Sequence, residues 1–196
     1  MASTRRIGAP DSKTRACLLD ATEQLMLEDG YAAVSSRRVA STAGLKPQLV
    51  HYYFRTMDDL FLEVLRRRAE QNLERYGRAL ASDRPLRALW ASTTDPRGAA
   101  LTMEFAALAN HRKAIRTEIA RYAERFRRMQ LEVLSGLLER SGISADRCPP
   151  VVALLAMTGI SQVIALERAL GITTGHDETL AFVERHIEQL EEGKAA

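Results

Sequence analysis

The residues of this chain best suited to chemistry are hydrogen-bond donors crowded into one short stretch: Arg37, Arg38, Lys46, Gln48, His51 and Tyr52. An arginine fork fits O6 and N7 of guanine, a pair worth roughly 1–3 kcal/mol against a wrong base, and glutamine can pair with adenine in the same way. Lysine, histidine and tyrosine donate to phosphate oxygens or base edges. This is the chemistry of recognition, not of bond making. For Arg37 and Arg38 the competing reading is a solvated helix face, and for His51 a packed or water-bonded imidazole. No HExxH, CxxC, GxSxG or glycine-rich phosphate loop is present. The four histidines, His51, His111, His176 and His186, are scattered with no carboxylate pattern of a metal site. Neither catalytic residues, a metal nor a cofactor is therefore expected.

The elements that must hold those donors are legible around them. Residues 34–60 read as two short helices, about 36–43 and 47–54, joined by a tight turn at Ala43-Gly44-Leu45, with a further helix opening at Asp58. That is the plan of a helix-turn-helix. Ser35 is an N-cap candidate, and Val39, Ala40 and Ala43 give the first helix an apolar face. Gly44 stands where the backbone needs a positive φ. Pro47 suits the first turn of the second helix, where its missing N–H costs nothing. Leu49, Val50 and Phe54 form that helix's buried side, which leaves Lys46, Gln48, His51 and Tyr52 outside.

Helical periodicity covers nearly all of the 196 residues, and no alternating strand pattern appears. The fold class expected is all-α, with about nine helices. An arm of residues 1–11 precedes a helix from about Ser12 to Asp29, stopped by Gly30. The helix from Asp58 carries Leu60, Phe61, Val64, Leu65, Leu73, Tyr76 and Leu80 along one side, and Ser82-Asp83-Arg84-Pro85 punctuates the chain after it. Helices follow around Trp90, from about Pro96 to Asn110, from about Lys113 to Arg140, over 151–170, and after the Gly171–Gly175 break. The domain expectation is an arm plus helix-turn-helix over 1–55, and a linking helix with an effector-binding and dimerisation domain over 56–196.

Bulk properties narrow the partners. The net charge is +3 and the pI about 9.1, so any affinity for nucleic acid must come from local placement of charge. Arg5, Arg6, Lys13 and Arg15 make a basic start that can follow a phosphate strand or dip into a minor groove; a disordered tail is the alternative. No secretory signal is visible in Met1–Pro10, and a cytoplasmic location is expected. Cys17 and Cys148 are far apart and read as reduced thiols; a redox role for Cys148, beside Pro149-Pro150, is the other reading. The apolar run Val151–Leu166 is broken by Thr158, Gly159, Ser161 and Gln162. It falls short of the roughly 20 residues a bilayer span needs and reads as a buried helix.

Gly30-Tyr31, Ser35-Ser36-Arg37-Arg38-Val39-Ala40, Ala43-Gly44-Leu45, His51-Tyr52-Tyr53-Phe54 and Asp58-Asp59-Leu60 together resemble the DNA-binding domain of tetracycline-repressor-like (TetR family) regulators. The motif covers about residues 13–60; beyond it the resemblance is one of architecture. It implies that Ser36 meets a phosphate, that Arg37 reaches a base, that Lys46, Pro47 and Gln48 enter the major groove, and that His51 and Tyr52 contact the backbone. Two positions depart from the family's pattern. Met57 stands where many members have a phosphate-holding lysine, leaving Lys46, Arg55 or the arm to supply that charge, and His51 stands where tyrosine is commoner.

A DNA reader needs little beyond its first 55 residues and a dimer interface, so the helices of about 84–140 are surplus to binding. Trp90, Met103, Phe105, Leu108, Tyr122, Phe126 and Met129 lie there with Glu104, Asn110 and His111, the mixture a ligand cavity shows. Trp90, Met103, Glu104, His111, Tyr122 and Phe126 are the effector-contact candidates; ordinary core and surface is the alternative. The resemblance implies the same, a small effector bound among these helices, and the apolar lining favours a hydrophobic or amphipathic one. The last two helices carry apolar surface on most sides and a coiled-coil-like seam, which points to a two-fold homodimer through a four-helix bundle. The partners expected are double-stranded DNA with a palindromic operator, a second copy and a small ligand, with no membrane. The functional expectation is a ligand-responsive, homodimeric transcriptional regulator, a repressor as is usual in the family. An architectural DNA binder without sequence choice and an all-α enzyme are the competing classes.

Overall fold

Ser12 opens the first helix by accepting the Arg15 N–H on its hydroxyl at 3.1 Å, satisfying a donor that no preceding turn can reach. The structure is a computed structural model and describes residues 12–192; Arg5 and Arg6, read either as a DNA-following arm or as a disordered tail, lie outside them. Among the described residues there are nine α-helices and no strand. They are α1 (Lys13–Asp29), α2 (Ser36–Thr42), α3 (Pro47–Tyr53), α4 (Met57–Leu80), α5 (Pro85–Thr93), α6 (Pro96–Ala109), α7 (Lys113–Arg140), α8 (Pro150–Ala169) and α9 (His176–Glu191), with a 3-10 turn at Tyr31–Ala33. The all-α expectation holds. The chain divides into two compact units, one of the described residues up to Glu70 with Ala100–Arg121, the other of Gln71–Ala99 with the described residues from Tyr122.

The first unit is organised around a core that includes Leu18, Leu25 and Met26 of α1, Val39 of α2, Val50 of α3, and Leu60 and Phe61 of α4. Leu101, Phe105 and Leu108 of α6 and Ile115 of α7 complete it. Phe105 and Leu108, grouped by sequence with the effector helices, are thus structural members of this core. Each such side chain contributes about 1.5–3 kcal/mol by leaving water. Charged pairs then fix the helices against one another: Arg67 lies 2.7 Å from Asp20, Arg68 3.6 Å from Glu23, and Arg15 of α1 pairs with Glu63 of α4. Glu118 of α7 accepts from Arg66 at 2.7 Å and from Arg121 at 3.0 Å. The bonds from Arg121 and Arg66 draw its carboxyl down from 4.5 to about 2, and the same carboxylate, with Glu63, raises the Arg66 guanidinium.

The second unit packs Leu86, Leu89 and Trp90 of α5 against Leu134, Leu137 and Leu138 of α7, Leu154 of α8, and Val183 and Ile187 of α9. Tyr76 meets Phe126 edge to face at 5.2 Å, and burial pushes the Tyr76 phenol up. His176 Nε2 at the start of α9 sits 2.7 Å from Glu167 Oε2, tying the turn between the last two helices. One expectation is corrected here. The run Val151–Leu166, read as a buried helix, buries only Leu154, Ser161 and Ile164, because its neighbours within one chain cover a single side of it. Val151, Val152, Leu155, Val163 and Leu166 stay exposed. By length and composition alone α8 could also cross a membrane.

Candidate nucleic-acid interface

The geometry of the helix-turn-helix follows from its own sequence. Ser35 is extended, with φ −138° and ψ 157°, and its hydroxyl accepts the Arg38 N–H at 3.3 Å. At the other end of α2, the Leu45 N–H reaches the Ala40 carbonyl at 2.8 Å and the Gly44 N–H the Ser41 carbonyl at 3.1 Å. These are the two crossed bonds of a Schellman stop. They require a left-handed residue, which Gly44 supplies at φ +66°. Pro47 then takes the first position of α3. At the exit, the Thr56 and Asp59 side chains each accept the other's backbone N–H at 3.1 Å. This capping box starts α4 cleanly.

Val39, Ala40, Val50 and Phe54 are buried, which turns the opposite sides of α2 and α3 outward. Arg37, Arg38, Lys46, Pro47, Gln48, His51 and Tyr52 are all exposed, and Ser36 is half-buried. Gln48, His51 and Tyr52 stand three and four apart and share one face of α3. The Tyr52 ring leans edge-on against Tyr53 at 5.0 Å, and the Tyr53 hydroxyl accepts from Ser12 at 2.9 Å. Arg38 differs from Arg37: its guanidinium binds Asp29 and the Ala33 carbonyl at 3.4 Å. Arg15, one of the basic residues that could follow a phosphate strand, is drawn to Glu63 and over the Phe54 ring at 5.2 Å, whereas Lys13 is exposed. Met57 packs on the core.

The effector candidates fall into two sets. Trp90 and Tyr122 are buried and Phe126 half-buried in the second unit; Met103 and Glu104 are half-buried and His111 exposed in the first. Trp90 lines a cleft of about 270 Å³ with Arg87, Thr94, Arg168, Leu180 and Glu184. A larger cleft of about 470 Å³ lies among Leu80, Asp83, Glu132, Leu137, Arg140 and Glu191. The other five candidates line neither. Glu104 is already in use, since its carboxylate accepts the Tyr31 N–H at 2.7 Å.

Sequence reasoning missed three contacts here. The Thr56–Asp59 box had a visible signal, a threonine three residues before an acid at a helix start. The Asp29–Arg38 pair and the Glu104–Tyr31 bond had none, because each depends on how separate elements meet.

Residues 18–64 match the family described as bacterial regulatory proteins, tetR family. No curated protein matches the chain in sequence. Among solved structures, a candidate transcriptional regulator from Saccharomonospora viridis in complex with choline is 17% identical, with 92% of this chain and 96% of that one covered at a TM-score of 0.74. The transcriptional regulator FadR from Bacillus subtilis in complex with stearoyl-CoA is 16% identical, with 91% and 98% covered and a TM-score of 0.66. A transcriptional regulator from Rhodococcus sp. Rha1 is 23% identical, with 92% and 93% covered and a TM-score of 0.64. At these identities the likeness is one of fold.

Proposed function

We infer that this chain, whose residues 18–64 match the tetR family of bacterial regulatory proteins, works as a homodimeric, sequence-specific repressor released from its operator by a small amphipathic effector. The observation that carries the reading is the outward polar face of α2 and α3, Arg37, Lys46, Gln48, His51 and Tyr52, on a backbone fixed by the Gly44 turn. In this reading Arg37, Lys46, Pro47 and Gln48 face base edges in the major groove. Ser36, His51 and Tyr52 hold phosphates, and Arg38 contributes charge from beside Asp29.

The dimer part of the reading is supported by the apolar face of α8 and α9. Val151, Val152, Leu155, Val163, Leu166 and Phe182 lie open to water, a surface that a second copy of the same helices would cover. A two-fold dimer presents two recognition helices about 34–36 Å apart, to successive major grooves, and its operator is then a palindrome. For the effector, Trp90 is the stronger candidate, because it alone of the six lines either of the two clefts. Stearoyl-CoA, bound by one of the similar folds named above, joins a charged head to a long apolar chain, which supports an amphipathic ligand. Release requires that the effector bind the DNA-incompetent state more tightly, by about 5.5 kcal/mol for a near-complete switch.

Sedimentation of the protein alone and with a duplex carrying its operator tests the assembly. Two chains per duplex, with an affinity that falls about 10³–10⁵-fold between 50 and 200 mM salt, is the expected result. A monomer at micromolar concentration that binds one chain per duplex would contradict it.

A further inference from the structure

We propose that Glu104 is a positioning residue for DNA recognition: from α6, its carboxylate anchors the link between α1 and α2 and so sets how the reading helices are presented. The proposal rests on the DNA-reading function proposed above.

The link is short and its conformation is demanding. α1 ends at Gly30, whose φ of +79° and ψ of 161° turn the chain away from the helix. The next amide, Tyr31 N–H, donates to Glu104 Oε2 at 2.7 Å. A Cβ added to Gly30 would come 3.4 Å from the same oxygen, so the carboxylate lies against the glycine as well. On its other side the link is held by α2, whose Arg38 guanidinium binds Asp29 and the Ala33 carbonyl. Residues 29–33 are therefore clamped between one arginine from α2 and one carboxylate from α6. Ser35, the cap of α2, follows two residues later, and the exposed face of Arg37 begins there.

Glu104 can act as a fixed post because its helix is itself fixed. Leu101 and Leu108, three before and four after it on the same face, are 4% and 1% exposed within the first core. The neighbouring anchors from this part of the chain, Arg112 to Asp58 and Glu118 to Arg66, reach α4 and not the link. An amide-to-carboxylate bond is charge-assisted and roughly twice as strong as a neutral one. Losing it leaves a half-buried N–H without a partner and the link free to shift. Recognition tolerates only about 0.5 Å of such movement.

The test compares E104A and E104Q in the full chain, because the glutamine carbonyl can accept the same N–H. Affinity is measured for the selected operator and for a scrambled duplex of equal length, together with the melting temperature and amide exchange over residues 30–34. E104A is expected to lose about tenfold in operator affinity, the equivalent of one hydrogen bond of about 1.4 kcal/mol, with scrambled-duplex affinity unchanged and faster exchange at Tyr31. E104Q should recover most of the loss. If E104A does not fold, E104D carries the same comparison, since it keeps the charge and shortens the reach. Operator affinity equal to wild type in E104A would overturn the proposal. So would an equal fall on both duplexes with no rescue by E104Q. Failure of the functional reading looks different: wild type itself would show no preference for any operator, while the Tyr31 exchange comparison would still report on the anchor.

Discussion

Of the nine large apolar side chains left exposed among the described residues, Tyr52 belongs to the first unit and the other eight, from Val151 to Phe182, belong to the second. The first unit closes its core with residues drawn from α1 to α4, α6 and α7 and turns polar donors outward. The second closes a core around Trp90 and still leaves one side of α8 and α9 open. A surface of donors suits a charged, hydrated partner such as DNA. A surface of valine and leucine suits another apolar face. The chain thus carries two surfaces of opposite chemistry, and substitutions in each should fail in different ways.

The largest contrast comes from charging the open face. Leu155→Asp with Leu166→Asp should leave the helical circular dichroism of the chain intact while converting a dimer into monomers. Operator affinity should fall by about 10²–10⁴ as the second half-site is lost, measured by sedimentation and by duplex titration. A large loss of helicity would instead mean that this face is needed for the fold of the single chain. In the first unit, Leu60→Ala opens a cavity beneath a side chain with 0% exposure and should cost about 2–5 kcal/mol in urea unfolding, independent of protein concentration.

Next in size is Arg37→Ala. It should weaken the cognate operator by about 1–3 kcal/mol and relax the choice of base at one position in each half-site, with the melting temperature unmoved. A uniform loss on all duplexes would make Arg37 a phosphate contact.

Acid sharpens the comparison further. The depressed Glu118 carboxyl stabilises the folded state above its ordinary value of 4.5, and that contribution disappears as pH falls through about 2. After allowance for the solvent around Arg66 and Arg121, it amounts to about 1–2 kcal/mol. Glu118→Gln should lower stability at neutral pH by that amount and flatten the decline between pH 4.5 and 2, seen in urea titrations across that range. The smallest effect is expected at Gly44→Ala. A Cβ there meets nothing within 4 Å, so the cost is the left-handed backbone alone, about 1 kcal/mol.

Much of the first unit was legible because its signals are local. A serine before a helix, a glycine at its stop and a proline at the next start each act within four residues, and Ser35, Gly44 and Pro47 stand as read. The helices α4 and α7 showed themselves through long runs of three-and-four spacing. What the sequence could not display is pairing at a distance. Phe105 and Leu108 have the pattern of any amphipathic helix, and nothing local says that they complete the core of α1 to α4. Glu104 has the composition of a ligand contact, and only the fold brings its carboxylate to the Tyr31 amide. Arg38 and Arg37 are equivalent in sequence, and the contacts of Arg38 with Asp29 and the Ala33 carbonyl distinguish them. The exposure of α8 was hidden for a related reason: apolar periodicity reports that a face will be covered, not by which chain.

The most direct test is selection of bound duplexes from a random DNA pool by the purified protein near physiological salt. A dimeric, sequence-reading repressor should select a two-fold symmetric consensus whose half-site centres are about 10–10.5 base pairs, or a multiple, apart. Absence of enrichment, with retention that vanishes as salt rises, would contradict that reading and leave a helix-turn-helix that binds phosphate without reading sequence.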